Sequence, residues 1–107
     1  MILTGKAKES FIDYLNKTNQ IKIEKGILNL HWQDFPQKYI HALIIDFFDS
    51  VGIYITSDYF ELNKGFYSEI LDSNFEIVKP TRQEALTEAI KKTNEIYNEN
   101  IAYRNKQ

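Results

Sequence analysis

The chain has 107 residues, 13 basic and 15 acidic side chains for a formal net charge of −2, and no cysteine. Its length predicts one domain spanning residues 1–107, large enough to bury a core without covalent staples. The missing cysteines exclude disulfides, thiolate metal sites and cysteine nucleophiles, and charges of both signs mixed along the chain leave no electrostatic footprint for nucleic acid.

The opening stretch, MILTGKAKES, has no apolar run behind a basic start, so no secretory signal is expected and a cytoplasmic location is inferred. Thr4 is a fair N-cap, and Ala7, Phe11, Tyr14 and Leu15 share one face of a first amphipathic helix ending near Lys17. The segment from Ile21 to Trp32 is two-sided. Ile21 and Ile23, then Leu28, Leu30 and Trp32, alternate about Gly26, which favours a short β-hairpin over a helix.

The stretch from Phe35 to Asp58 carries the longest apolar run. Ile40, Leu43, Ile44, Phe47, Phe48 and Val51 form a stripe at helical spacing, and Tyr39, Ala42 and Ile45 widen it. That width predicts a helix buried between two layers, and the run is too short and too charged to span a bilayer. Asp34 or Phe35 would cap it, Pro36 fits its first turn, and Gly52 can close it in a left-handed conformation.

Beyond it, Ile53 to Thr56 alternates as a strand, Asp58 begins a turn, and Phe60 with Leu62 alternates again. Asn63-Lys64-Gly65 is a turn signal with glycine placed for positive φ. Phe66–Leu71 and Phe75–Lys79 read as further strands, separated by the turn Asp72-Ser73-Asn74. Pro80 stops the sheet, Thr81-Arg82-Gln83-Glu84 is a capping box, and Leu86, Ala89, Ile90, Thr93, Ile96, Tyr97 and Ile101 stripe a last helix. The expected fold is α+β: helices packed on one antiparallel sheet of three to four short strands, in the order α, hairpin or helix, α, β, β, β, α. The open sheet face should carry Tyr54, Thr56 and some of Tyr59, Phe60, Phe66 and Tyr67.

No residue set spells out a reaction. Asp46 and Asp49 lie three apart on one helix face, close enough to share a cation or acid–base work. They also oppose the helix macrodipole, which calls for a cation nearby. Arg82, whose planar fork can take two carboxylate oxygens, is the expected internal partner. His31 and His41 are ten residues apart with no cysteine to complete a zinc site, so they read as isolated polar residues. The serines lack a nucleophile-elbow context and the four glycines form no phosphate loop. Aromatics beside lysines could stack bases, but Glu61, Glu69 and Glu76 oppose a phosphate backbone. No cofactor is implied. His31, Trp32 and Asp34, in the connection before the long helix, are core plugs or parts of a partner-binding hot spot. Tyr54, Tyr59 and Tyr67 are further contact candidates.

Three stretches, DFFDSVGIYI (Asp46 to Ile55), TRQEALTEAIKKTNEIYNE (Thr81 to Glu99) and LTGKAKESFIDYL (Leu3 to Leu15), together resemble a loose group of small proteins from prophages and mobile elements of Bacteroidetes-type bacteria. The matching residues are Asp46, Phe47, Phe48, Asp49, Gly52, Arg82, Glu84, Ala85, Ile90, Asn94 and Tyr97. The resemblance implies a small phage-type protein, a context in which anti-CRISPR proteins and other inhibitors of bacterial defence occur. The leading expectation is a non-enzymatic phage or mobile-element protein that binds a host protein, with a CRISPR effector nuclease or its guide-RNA complex as a candidate. A structural module that binds only itself is the alternative, and a small metal-dependent enzyme using Asp46 and Asp49 the third.

Overall fold

Strands β1 (Ile55–Phe60), β2 (Gly65–Ile70) and β3 (Glu76–Lys79) form an antiparallel sheet in the order β1-β2-β3. Helices α1 (Gly5–Lys17), α2 (Gln37–Ser50) and α3 (Arg82–Glu99) complete the α+β domain. The structure is a computed structural model that describes residues 2–18 and 35–100. The segment expected to be a hairpin or helix, the candidates His31, Trp32 and Asp34, and Ile101 lie outside the described residues. No helix among the described residues is long and apolar enough to cross a membrane.

The helix at the centre is α3, not α2. It packs against all three strands and both other helices, whereas α2 meets α1, α3 and β1. Small side chains make this close approach feasible: Ala85 and Ala89 are fully buried on α3, and Ser57 and Ser68 face each other across β1 and β2. The expectation that α2 lies between two layers fails for the same reason. Its inward stripe of Ile40, His41, Leu43, Ile44, Phe47 and Phe48 is buried, which turns Tyr39, Ala42, Asp46 and Asp49 outward.

Phe47 is the hub of the core. Its ring lies 5.8 Å from Phe11, 5.7 Å from Tyr14, 5.0 Å from Phe48 and 5.8 Å from Tyr97, between centroids, which joins all three helices. These tilted contacts suit aromatic quadrupoles better than face-to-face stacks. Tyr97 is fully buried, and its hydroxyl is satisfied by donating to Ser10 Oγ at 2.8 Å.

Helix ends follow local chemistry. Glu84 N–H donates to Thr81 Oγ1 at 3.1 Å, and Thr81 Oγ1 donates to Glu84 Oε1 at 3.1 Å, so the expected cap forms. At the end of α2, Gly52 takes φ +83°, while Gly52 N–H bonds Asp49 O and Ile53 N–H bonds Phe48 O. This is a Schellman closure, as glycine at that position predicts. The start differs from expectation: Pro36 is the cap position and offers no side-chain bond, its carbonyl accepting the Tyr39 and Ile40 N–H groups instead.

The strands also shift from the expected pattern. Asp58 begins no turn; it sits within β1 opposite Tyr67, because cross-strand pairing overrides its turn preference. Leu62 belongs to a short 3-10 turn, Glu61–Asn63, and is 87% exposed rather than stranded. Positive φ falls on Lys64, at +47°, not on Gly65. Gly65 is required for another reason. A Cβ there would stand 2.9 Å from both Lys79 O and Val78 Cγ1, so only glycine lets β2 begin this close to β3.

Candidate interaction face

Strand alternation divides the sheet cleanly. Ile55, Ser68 and Ile70 are buried, and the register places Ser57, Tyr59, Phe66 and Ile77 on that same helix-covered side. The opposite face therefore carries Thr56, Asp58 and Phe60 from β1, Tyr67 and Glu69 from β2, and Glu76 and Val78 from β3. Tyr54 and Leu71, whose backbones are joined by Leu71 N–H to Tyr54 O at 2.9 Å, continue it past the strand ends.

Residues on this face stand in rows across the strands. Thr56, Glu69 and Glu76 make one row, and Asp58, Tyr67 and Val78 the next. Neighbouring strands are about 4.8 Å apart, so each row is tightly spaced. Tyr54, Phe60 and Leu71 are 47%, 40% and 44% exposed, too open to belong to the core. The rings of Phe60 and Tyr67 lie 6.1 Å apart. Among the described residues, no helix packs on this side, since α3 takes the other.

Tyr67 is the middle of the face. Its hydroxyl lies 2.9 Å from Glu69 Oε2 and 2.9 Å from Glu76 Oε2. Those hydrogen bonds, to Glu69 first and then Glu76, hold the phenol above the ordinary tyrosine range. A phenol carries one hydrogen, so it serves two carboxylates with a single donor. Glu69 and Glu76 are also direct cross-strand partners, an unfavourable placement for like charges.

Of the three candidate tyrosines, the structure brings Tyr54 and Tyr67 onto one face and puts Tyr59 on the other. Tyr59 meets Phe66 edge-on, with centroids 5.4 Å apart, at the margin of the helix-covered side. Phe60, Glu69, Leu71 and Glu76 complete the face. Glu69 and Glu76 are visible in the sequence as acids on strands, but sharing a face with Tyr67 depends on register. The nearby lysines lie elsewhere: Lys64 sits in the β1–β2 turn, and Lys79 pairs with Phe66 on the helix-covered side.

The expected internal pair between Arg82 and the acids of α2 does not form. The Arg82 guanidinium stands 5.2 Å from the centroid of the Phe66 ring. Asp46 and Asp49 point outward on α2, and no ion pair among the described residues joins either one to Arg82. Partial burial, and then the neighbouring Asp46 charge, raise Asp49 above the ordinary carboxylate value. The rotation of α2 is the cause: burying Ile44, Phe47 and Phe48 sends positions 46 and 49 to the far side. Among the described residues, no group of three or more His, Asp or Glu side chains is placed to hold a metal.

His41, read as an isolated polar residue, is buried at 3% exposure and has a polar neighbour. Its Nε2 lies 3.4 Å from Thr87 Oγ1, which donates its own hydrogen to Gln83 O at 2.7 Å. Nδ1 and Gln83 Oε1 have no hydrogen-bond partner. Burial pushes His41 below its usual value, opposed by the nearby Gln83 amide. Beside it opens a cleft of about 450 Å³ lined by Gln37, Lys79, Thr81, Gln83, Glu84, Thr87 and Glu88. A smaller hollow of about 150 Å³ lies between α1 and the end of α2, with Asp13, Lys17 and Ser50 at its rim.

Comparison with protein-family models, with characterised proteins and with solved structures gives no match to this chain.

Proposed function

We propose that this protein is a non-enzymatic binding protein that docks onto another protein through its open sheet face. The observation that carries the reading is the row of exposed apolar side chains on one face, Phe60 beside Tyr67 at one end and Tyr54 with Leu71 at the other. Rigid aromatics supply contact area at low entropic cost, and strand-borne side chains are held in fixed positions for a partner. Asp58, Glu69 and Glu76 on the same face oppose a phosphate backbone, which favours protein over nucleic acid.

The resemblance to prophage and mobile-element proteins supports a host protein as the target, met in the cytoplasm of the bacterial host. A CRISPR effector nuclease or its ribonucleoprotein is the candidate that this context favours. Eight of the eleven residues carrying the resemblance hold the fold: Phe47, Phe48 and Tyr97 in the aromatic core, Ala85 and Ile90 buried on α3, Asn94 bonded to Thr4, Glu84 in a cap and Gly52 in a helix closure.

The test is a Tyr54→Ala/Phe60→Ala double variant. Both side chains are half open, so the variant should melt close to wild type while losing a host partner that the wild-type protein captures. Full retention of that partner, or hydrogen-exchange protection centred on Asp46 and Asp49 instead, would overturn the reading.

A further inference from the structure

Resting on that reading of the face, we infer that its partner is a lysine- or arginine-bearing protein segment, laid across β1–β3 with its cations among Asp58, Glu69 and Glu76. Three observations converge on this occupant. The face carries three carboxylates, one from each strand, and among the described residues no lysine or arginine stands on it. Glu69 and Glu76 face each other directly, with only the single hydrogen of Tyr67 between them. One carboxylate oxygen is therefore set against a phenolic lone pair, and a partner –NH3+ or guanidinium, with three or five donors, supplies what is missing. Around these acids, Phe60 and Tyr67, 6.1 Å apart, and the exposed Tyr54 offer ring surface for the alkyl stem and charge of such a side chain.

The same charges argue against the other occupants. A second copy stacked face to face would set six carboxylates together with no cation among the described face residues. A nucleic acid would bring phosphates against them.

The experiment uses the whole chain and an octalysine peptide, with octaglutamate and an eight-nucleotide thymidine strand as controls, followed by amide chemical shifts. Octalysine should give saturable shifts centred on Thr56, Asp58, Tyr67, Glu69 and Glu76. Its Kd should weaken by about tenfold or more in Glu69→Gln/Glu76→Gln, a change of about 1.4 kcal/mol, and stay unchanged in Asp46→Asn/Asp49→Asn. Glutamine keeps acceptors for Tyr67 and removes the like-charge conflict, so the fold persists in that variant. Shifts centred on Asp46 and Asp49, an unchanged Kd in the Glu69/Glu76 variant, or equal binding of either control at this face would overturn the inference. A captured natural partner separates the two levels. Loss in Tyr54→Ala/Phe60→Ala with full retention in Glu69→Gln/Glu76→Gln removes the basic segment but keeps the face. Retention in the aromatic variant removes the face itself.

Discussion

The Asn94 side-chain amide holds Thr4 twice: Oδ1 accepts the Thr4 N–H at 2.9 Å, and Nδ2 donates to Thr4 Oγ1 at 3.0 Å. One turn further along α3, Asn98 Oδ1 accepts the Ala7 N–H at 2.8 Å and Nδ2 donates to Thr4 O at 3.0 Å. The N–H groups of the cap residue Thr4 and of Ala7 in the first turn of α1 are thus met by side chains some ninety residues away in sequence. Thr4 occupies the expected N-cap position, but its own hydroxyl makes no cap bond. Asn94→Ala leaves two partners unmet and should cost about 1–3 kcal/mol. Because Thr4→Ala removes part of the same network, the double variant should cost less than the sum of the singles in urea melts. Strict additivity would show that this amide clamp is not stabilising.

Phe47 joins rings from all three helices, so Phe47→Ala should cost about 3–5 kcal/mol, by lost transfer energy and the cavity left behind. That is a large part of the roughly 5–15 kcal/mol available to a domain of this size. Ile44→Ala, at a fully buried neighbouring position, should cost about 2–5 kcal/mol. Tyr39→Ala, on the exposed side of the same helix, should melt within about 0.5 kcal/mol of wild type. Equal melting of all three would contradict the orientation of α2.

Much of this architecture is legible in periodicity. The stripes of α1, α2 and α3, the Thr81–Glu84 cap and the glycine closure at Gly52 all depend on residues within a few positions of each other. What local spacing does not carry is which neighbour covers which face. The width of the apolar stripe on α2 predicts burial between two layers, yet Tyr39 and Ala42 face outward because α3 occupies the centre. Charge and fork geometry match Arg82 to the acids of α2, but neither carries its position, which at the start of α3 sets it over Phe66. The face around Tyr67 depends on the β1–β2–β3 register. Reading Asp58 as a turn splits β1 and breaks that register.

His41 makes stability depend on pH. Its folded pKa is lowered by burial, so the folded chain binds fewer protons than the unfolded chain near its usual value of about 6.5. Stability then rises with pH through that region, and falls as pH drops from about 6.5 toward the lowered folded value. Thr87 and Gln83 contact the ring, while Glu84, Glu88 and Lys79 line the adjoining cleft. In His41→Gln, urea midpoints between pH 5 and 7.5 should lose this slope and keep only the dependence of the carboxylates. Parallel profiles for wild type and variant would sink the assignment.

Asp49 and Arg82 should behave as strangers. Asp49 lies exposed in the last turn of α2, where a carboxylate opposes the macrodipole by about 0.3–1 kcal/mol, and Asp46 adds to the conflict. Its raised folded pKa means that this site favours folding at acid pH and that the advantage disappears as pH rises through the folded value. At neutral pH, Asp49→Asn should therefore melt like wild type or slightly higher. Arg82→Gln should cost about 0.5–1 kcal/mol, through the lost contact with the Phe66 ring. Combining Arg82→Gln with Asp49→Asn should be additive within about 0.3–0.5 kcal/mol, whereas Arg82→Gln with Phe66→Ala should cost less than the sum. Coupling in the first pair and additivity in the second would return Arg82 to the carboxylates of α2.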